Sequence, residues 1–324
     1  MNTRAVAVVV AVVAALAGCG ASPTPPASVS VAPAPVRPAG AQEITVAPEA
    51  VKADCGDREA SLSPGAQPAP GAMPAGSTMA SIQERGRLIV GVDQNTFMFG
   101  YRDPSSGQLE GFDIDLAREI AGRIFGDPNR IELQVVEANQ REPALESGQV
   151  DLIVRTFSIT CERKEKVDFS TTYFYANQRI LTRKGSRIGS AADLAGKRVC
   201  SVSGTTSLKR VFELDPRPTL IGVTSWTDCL LMMQQGQVDA ISTDDVVLKG
   251  LARQDPAVDV VGDSLGVEPY GVGVRKGNDD LVRFVNGVLE DVRSDGTWER
   301  LYDRWLRSLG PSPGPPSPRY RDRP

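Results

Sequence analysis

The chain of 324 residues contains no histidine. Its absence removes Ser-His nucleophilic arrangements, histidine metal ligands and histidine pH switches. There is no basic block either. Lysine and arginine number 36 against 40 acids, a net charge of −4, which leaves no electrostatic footprint for nucleic acid. The five cysteines show no Cys-x-x-Cys spacing of a zinc or redox site. After the first eighteen residues no run is apolar enough to span a bilayer. Nothing in the sequence calls for a cofactor.

What is present divides the chain. Residues 1–18 carry Arg4, then an unbroken Ala, Val and Leu run ending in Leu16-Ala17-Gly18-Cys19. A short apolar run with a small-residue cleavage site reads as an export signal. The four residues around Cys19 resemble a bacterial lipobox, so Cys19 is the expected lipid attachment and membrane anchor. Residues 19–80 are rich in Pro, Ala and Ser with few large apolar side chains. Such a stretch cannot bury enough surface to offset chain entropy, and it is expected to be a flexible tether. Residues 310–324 are expected to be a disordered tail on the same ground. Residues 81–309 remain for two modest lobes.

With Cys19 lipidated, Cys55, Cys161, Cys200 and Cys229 can pair in three ways. Cys200 on a strand and Cys229 opening a helical segment make the favoured bridge, and Cys55–Cys161 follows by elimination. Structural bridges suit an exported protein.

The stretch that organises the rest begins at Gly148-Gln149-Val150-Asp151. An apolar strand follows, then the polar cluster Thr156, Ser158 and Thr160, then Arg163 and Lys164. Strand ends that open into hydroxyls and a fixed cation are where open α/β sheets meet small anionic ligands. Arg163 can grip a carboxylate through two parallel hydrogen bonds. The plain alternative is a surface arginine between Glu162 and Glu165. The pattern recurs at Gly236-Gln237-Val238-Asp239, again with an apolar strand and a polar end. Five residues past Asp151 lies Thr156; five past Asp239 lies Asp244. Two copies of one unit suggest two lobes, each aiming a strand end at a shared crevice.

Other candidates stand in order along the chain. A first strand ends at Asp93, followed by Phe97 and Phe99, rings that either face a ligand or plug the core. Phe112, Leu116, Ile120 and Ile124 recur every fourth residue as one helical stripe, with Asp113 and Asp115 in its first turn, where capping is the expected task. Arg141 sits near a helix start, against the dipole, which hints at a role beyond the helix. Ser203-Gly204-Thr205-Thr206-Ser207 after a strand offers an anion site or a plain helix cap, without the lysine or glycine spacing of a P-loop.

Taken together, Gly111-Phe112-Asp113-Ile114-Asp115, the run from Ser158 to Arg163 with Phe169-Ser170, Ser203-Gly204-Thr205 and the Asp239 to Asp244 stretch resemble the solute-binding proteins of bacterial ABC importers for polar amino acids. The likeness is closest to their glutamate- and glutamine-binding branch. It implies an α/β, type II periplasmic-binding-protein fold: lobe 1 over 81–176 and 269–309, lobe 2 over 177–268, joined by two crossover strands. It implies a monomeric, lipid-anchored receptor on the extracytoplasmic face that closes on an acidic or amide amino acid and serves an ABC permease or a membrane sensor protein. By the same resemblance Arg163 binds the ligand α-carboxylate with Thr205 and Thr206, while Asp244 takes the α-ammonium with Ser158 and the Thr156 carbonyl. Arg141 matches the arginine that glutamate-type members aim at a distal carboxylate. Asp93 resembles the acid that glutamine binders use for an amide, or pairs with Arg141. Phe97 or Phe99 supplies an apolar wall. The fold also hosts dehydratases that use buried carboxylates, and Asp244 and Glu162 are the acids such an enzyme would need; the expected reading is a receptor, not an enzyme.

Overall fold

The computed structural model describes residues 37–48 and 53–322. The expected export signal, Cys19 and the first part of the expected tether lie outside them. Among the described residues no helix is long and apolar enough to cross a membrane.

The chain opens with a two-residue strand, β1 (Gln42–Glu43), and helix α1 (Thr78–Arg85). Then come β2 (Leu88–Val92), the small antiparallel sheet β3 (Asn95–Thr96), β4 (Gly100–Arg102) and β5 (Leu109–Glu110), α2 (Phe112–Phe125), β6 (Ile131–Val135), α3 (Arg141–Glu146), β7 (Leu152–Ile153), α4 (Cys161–Lys166) and β8 (Val167–Phe169). The long strand β9 (Phe174–Arg183) leads to β10 (Arg198–Val202), α5 (Thr206–Phe212), β11 (Thr219–Val223), α6 (Trp226–Gln234), β12 (Ala240–Asp244) and α7 (Asp245–Ala252). Strand β13 (Val258–Tyr270) returns to β14 (Gly273–Arg275), and α8 (Asp279–Ser294) and α9 (Thr297–Trp305) close the fold.

Two mixed sheets result, one per lobe. The first runs β6-β2-β7-β14-β8 and the second β1-β11-β10-β12-β9-β13. Strand β2 lies parallel to β6 and β7, and β10 lies parallel to β11 and β12. Strands β9 and β13 run antiparallel from Phe174 opposite Tyr270 to Arg183 opposite Val258, with a register shift between Val261 and Gly266. These two strands carry the chain out of one lobe and back.

The repeated tetrapeptide does the same work twice. Gly148 and Gly236 both have left-handed backbones, φ 75° and 70°, and Val150 and Val238 are both buried. Asp151 accepts the Ile89 N–H at 2.8 Å at the start of β2 and pairs with Arg85. Asp239 accepts the Arg198 N–H at 2.9 Å at the start of β10 and pairs with the Arg198 guanidinium at 2.8 Å. Each aspartate thus pins the strand beside its own, and the two strand ends carry Thr156 and Asp244 toward one place.

The apolar stripe of α2 is buried as its spacing requires, with Phe112, Leu116, Ile120 and Ile124 at zero exposure. Trp298 packs back on Phe112 and donates to the Tyr173 carbonyl at 2.8 Å. Both expected bridges are formed, Cys55–Cys161 and Cys200–Cys229.

Two expectations for the ends are corrected. The described parts of the expected tether are structured. Strand β1 pairs with β11 at the edge of the second sheet, while Leu62, Met73 and Met79 are buried in the core and the Asn286 side chain donates to Ser61 Oγ and the Leu62 carbonyl. Of the expected disordered tail, residues 310–322 are described and held too: Tyr320 forms a bridge with Ser61, and Asp322 pairs with Arg283. Pro-rich composition excludes a self-sufficient core, but it does not prevent a segment from filling grooves on someone else's.

Candidate functional site

One polar cavity draws its walls from both sheets. Lobe 1 contributes Arg141, Arg155, Thr156, Ser158 and Arg163; lobe 2 contributes Thr205, Thr206, Ser207, Trp226, Thr243, Asp244 and Val247. The position follows from topology, since Arg155-Thr156 follow the end of β7 and Asp244 ends β12.

Arg163 is built in from its backbone outward. Thr160 caps α4 by accepting the Arg163 N–H at 3.1 Å. The buried guanidinium donates to the Ser158 carbonyl at 2.7 Å, pairs with Glu142 at 3.1 Å and reaches the Gly204 carbonyl of the opposite lobe at 3.0 Å. Arg141 donates to the Ala138 carbonyl at 2.8 Å and to that same Gly204 carbonyl at 3.0 Å. Both guanidiniums lie over the Phe157 ring, 4.4 Å for Arg141 and 4.7 Å for Arg163. Burial, then the neighbouring Arg163 and Arg155 charges, push Arg141 well below the usual arginine range.

Gly204 is what allows this closeness. It has φ 77°, and a Cβ there would stand 2.6 Å from Asn139 Cα in the other lobe. Beside it Thr205 is the cap of α5, accepting the Leu208 N–H at 3.1 Å, and Thr206 donates to Glu268 at 2.8 Å. The plain cap accounts for Thr205.

Asp244 is the carboxylate of the site. One oxygen accepts the Tyr270 hydroxyl, and the other is buried with no hydrogen-bond partner among the described residues. Burial first, and the nearby Glu268 charge second, raise its pKa to about 7. An enclosed acceptor left unmet costs about 1–3 kcal/mol unless something supplies a donor.

Asp113 turns out to hold the site rather than merely cap α2. It accepts the Thr156 N–H at 2.8 Å and the Tyr173 hydroxyl at 2.8 Å. Thr156 has φ 39°, a backbone that a threonine rarely adopts, and the carboxylate fixes it there. Burial raises Asp113 to about 6 against the opposing pull of those two hydrogen bonds.

Three placements differ from expectation. Asp93 pairs with Arg155, 3.2 Å away, not with Arg141. Its oxygens also accept the Gln94 N–H at 2.7 Å, the Asn95 N–H at 3.2 Å and the Thr96 hydroxyl at 2.5 Å. Phe99 is fully buried against the rings of Phe112, Phe174 and Tyr270. Phe97 packs on Tyr101, 4.9 Å between centroids, in an outer groove with Arg253 and Trp305. Neither ring lines the cavity, because burial against neighbouring aromatics takes them away; Trp226 and Val247 form its apolar wall instead. Arg155 is the residue that sequence reasoning passed over. Its signal was present: a cation directly after a buried strand, one residue before Thr156.

Glu162 stands outside the cavity and pairs with Lys209 of the other lobe at 2.7 Å, so it is not beside Asp244 as a second acid would be. Among the described residues no group of three or more Cys, Asp or Glu could hold a metal ion.

Comparison with known proteins places this geometry. Residues 88–308 match the bacterial extracellular solute-binding proteins, family 3. A glutamine-binding protein of an ABC transporter from Bacillus subtilis is 37% identical over 231 residues, 71% of this chain and 85% of that protein. A glutamate-binding protein from Corynebacterium glutamicum is 31% identical over 230 residues, 67% of this chain and 78% of that one. Among solved structures, an ancestral arginine-binding protein bound to glutamine superposes with TM-score 0.65 at 36% identity, covering 68% of this chain and 98% of that chain.

Proposed function

The chain belongs to the bacterial extracellular solute-binding proteins of family 3, and from that premise we propose that it is an extracytoplasmic receptor for an acidic or amide amino acid, glutamate or aspartate first, serving an ABC importer. The observation that carries the reading is the pairing of opposite charges across one buried cavity. Arg163 from lobe 1 is fixed for an α-carboxylate, and Asp244 from lobe 2 presents an unmet acceptor for an α-ammonium. A zwitterion suits both, and a ligand lacking the ammonium leaves the buried Asp244 oxygen unmet. Arg141 sits in the same wall with no carboxylate among the described residues hydrogen-bonded to it, which favours ligands carrying a second negative charge. The names of the relatives, glutamine- and glutamate-binding, agree with this ligand class.

The arginines of lobe 1 reach Gly204 of lobe 2, so ligand capture and lobe closure are coupled, with affinity differing between open and closed forms. Cys19 is the proposed lipid anchor that keeps the receptor at the outer face of the membrane. Calorimetric titration of the refolded, ligand-stripped protein with glutamate, aspartate, glutamine and asparagine tests the proposal. Saturable one-to-one binding, abolished in Arg163→Ala, is the expected result; heat of binding with none of the four overturns it by its absence.

A further inference from the structure

Among the described residues, two cavity-lining side chains keep a buried polar atom without a hydrogen-bond partner: Asp244 at Oδ1 and Arg155 at Nε. They come from opposite lobes, one an acceptor and the other a donor. Native proteins seldom leave such groups unmet, so each calls for its complement. The α-ammonium answers Asp244. A zwitterion's α-carboxylate goes to Arg163, which leaves the Arg155 donor for a different acceptor on the same ligand.

We propose that Arg155 is the residue that reads the ligand's side chain, donating its Nε–H to an oxygen of the distal carboxylate. This rests on the amino-acid-receptor reading above and adds to it the group that sets specificity. Arg141 gives its Nε to the Ala138 carbonyl and one Nη to the Gly204 carbonyl, whereas among the described residues Arg155 Nε has no partner. Asp93 is unsuited to receive an amide, because three donors of its own loop and the Arg155 guanidinium occupy its oxygens. That ion pair holds the guanidinium at the end of β2 and β7, where it lines the cavity. A carboxylate suits the place better than an amide carbonyl because Arg141, Arg155 and Arg163 share one buried wall. A negative group relieves their mutual repulsion, and a neutral one does not.

The test is Arg155→Lys, which keeps a positive charge and removes the Nε–H, beside Arg141→Lys as comparator. Affinities for glutamate and glutamine are measured by calorimetry on each. The expected result in Arg155→Lys is a fall of about tenfold or more for glutamate with less than about threefold for glutamine, while Arg141→Lys weakens both alike. An unchanged glutamate-to-glutamine ratio in Arg155→Lys, or its collapse in Arg141→Lys instead, overturns the inference while leaving the receptor reading intact. Failure of the wild-type protein to bind any amino acid overturns both. Should Arg155→Lys not fold, the crystal structure of the wild-type glutamate complex decides: the side-chain carboxylate within hydrogen-bond distance of Arg155 Nε supports the assignment, and its placement elsewhere removes it.

Discussion

Asp244 shows how a single residue can tie ligand binding to pH. An exposed aspartate titrates near pH 3.9, whereas burial lifts this one to about 7 in the ligand-free protein. A raised folded pKa means that the folded state holds its proton longer than the unfolded chain. The stability contributed by neutral Asp244 is full below about pH 4 and is lost as the pH rises through about 7. Binding an ammonium reverses the preference by stabilising the ionised form. The groups facing Asp244 are Glu268, Asp245, Arg210 and Tyr270, none of them a partner for its free oxygen. Glutamate should therefore raise the melting temperature more at pH 8 than at pH 5, and Asp244→Asn should bind weakly with the pH dependence gone. Thermal melts with and without glutamate across that range check this, and a ligand-induced shift independent of pH counts against Asp244 as the ammonium site. Arg163, Asp244, Thr156 and Ser158 were legible in the sequence as strand-end residues. Arg155 stands at the same strand end but was not singled out, and its pairing with Asp93, 62 residues earlier, places it in the cavity wall and not in solvent.

At the scale of elements, local pattern succeeded where local physics decides. The four-residue spacing from Phe112 to Ile124 marked α2, and the two Gly-Gln-Val-Asp turns marked equivalent strands whose aspartates pin their neighbours. Composition failed for residues 53–80, because what matters there is the groove they fill. Cys55 ties this segment to Cys161, the first residue of α4, two positions before Arg163. The bridge closes a separation of 106 residues, worth about 4–5 kcal/mol in the chain-entropy view. Replacing Cys55 and Cys161 together by serine should lower unfolding stability by that order in denaturant titrations. A change below about 1 kcal/mol would mean that burial of Leu62, Met73 and Met79 holds the segment without help from the bridge.

The whole molecule works through the meeting of its lobes. Gly204 approaches Asn139 so closely that no side chain fits, and its carbonyl receives two arginines from across the cleft. Gly204→Ala adds a Cβ at 2.6 Å from Asn139 Cα and strains a positive φ. The variant should retain its fold with roughly 1 kcal/mol of lost stability, yet bind glutamate at least about tenfold more weakly, because the lobes no longer meet. Calorimetry with small-angle scattering tests this: the expected ligand-induced compaction is smaller in the variant than in the wild type. Wild-type affinity in Gly204→Ala would separate ligand binding from this contact.

What the sequence by itself determined is what neighbours a few residues apart govern: the amphipathic α2, the paired strand-end units, and the absence of histidine chemistry. The two-lobed α/β fold was also readable, since it follows from the order of such elements. Only the tertiary structure decided which groups share the buried cavity. It sent Phe97 and Phe99 elsewhere, set Trp226 in their place, turned Asp113 from a helix cap into the support of Thr156, and brought Arg155 to Asp93. The physical reason is that burial and charge pairing depend on distance in space, and strands β2, β7 and β12 bring together residues that the chain keeps far apart.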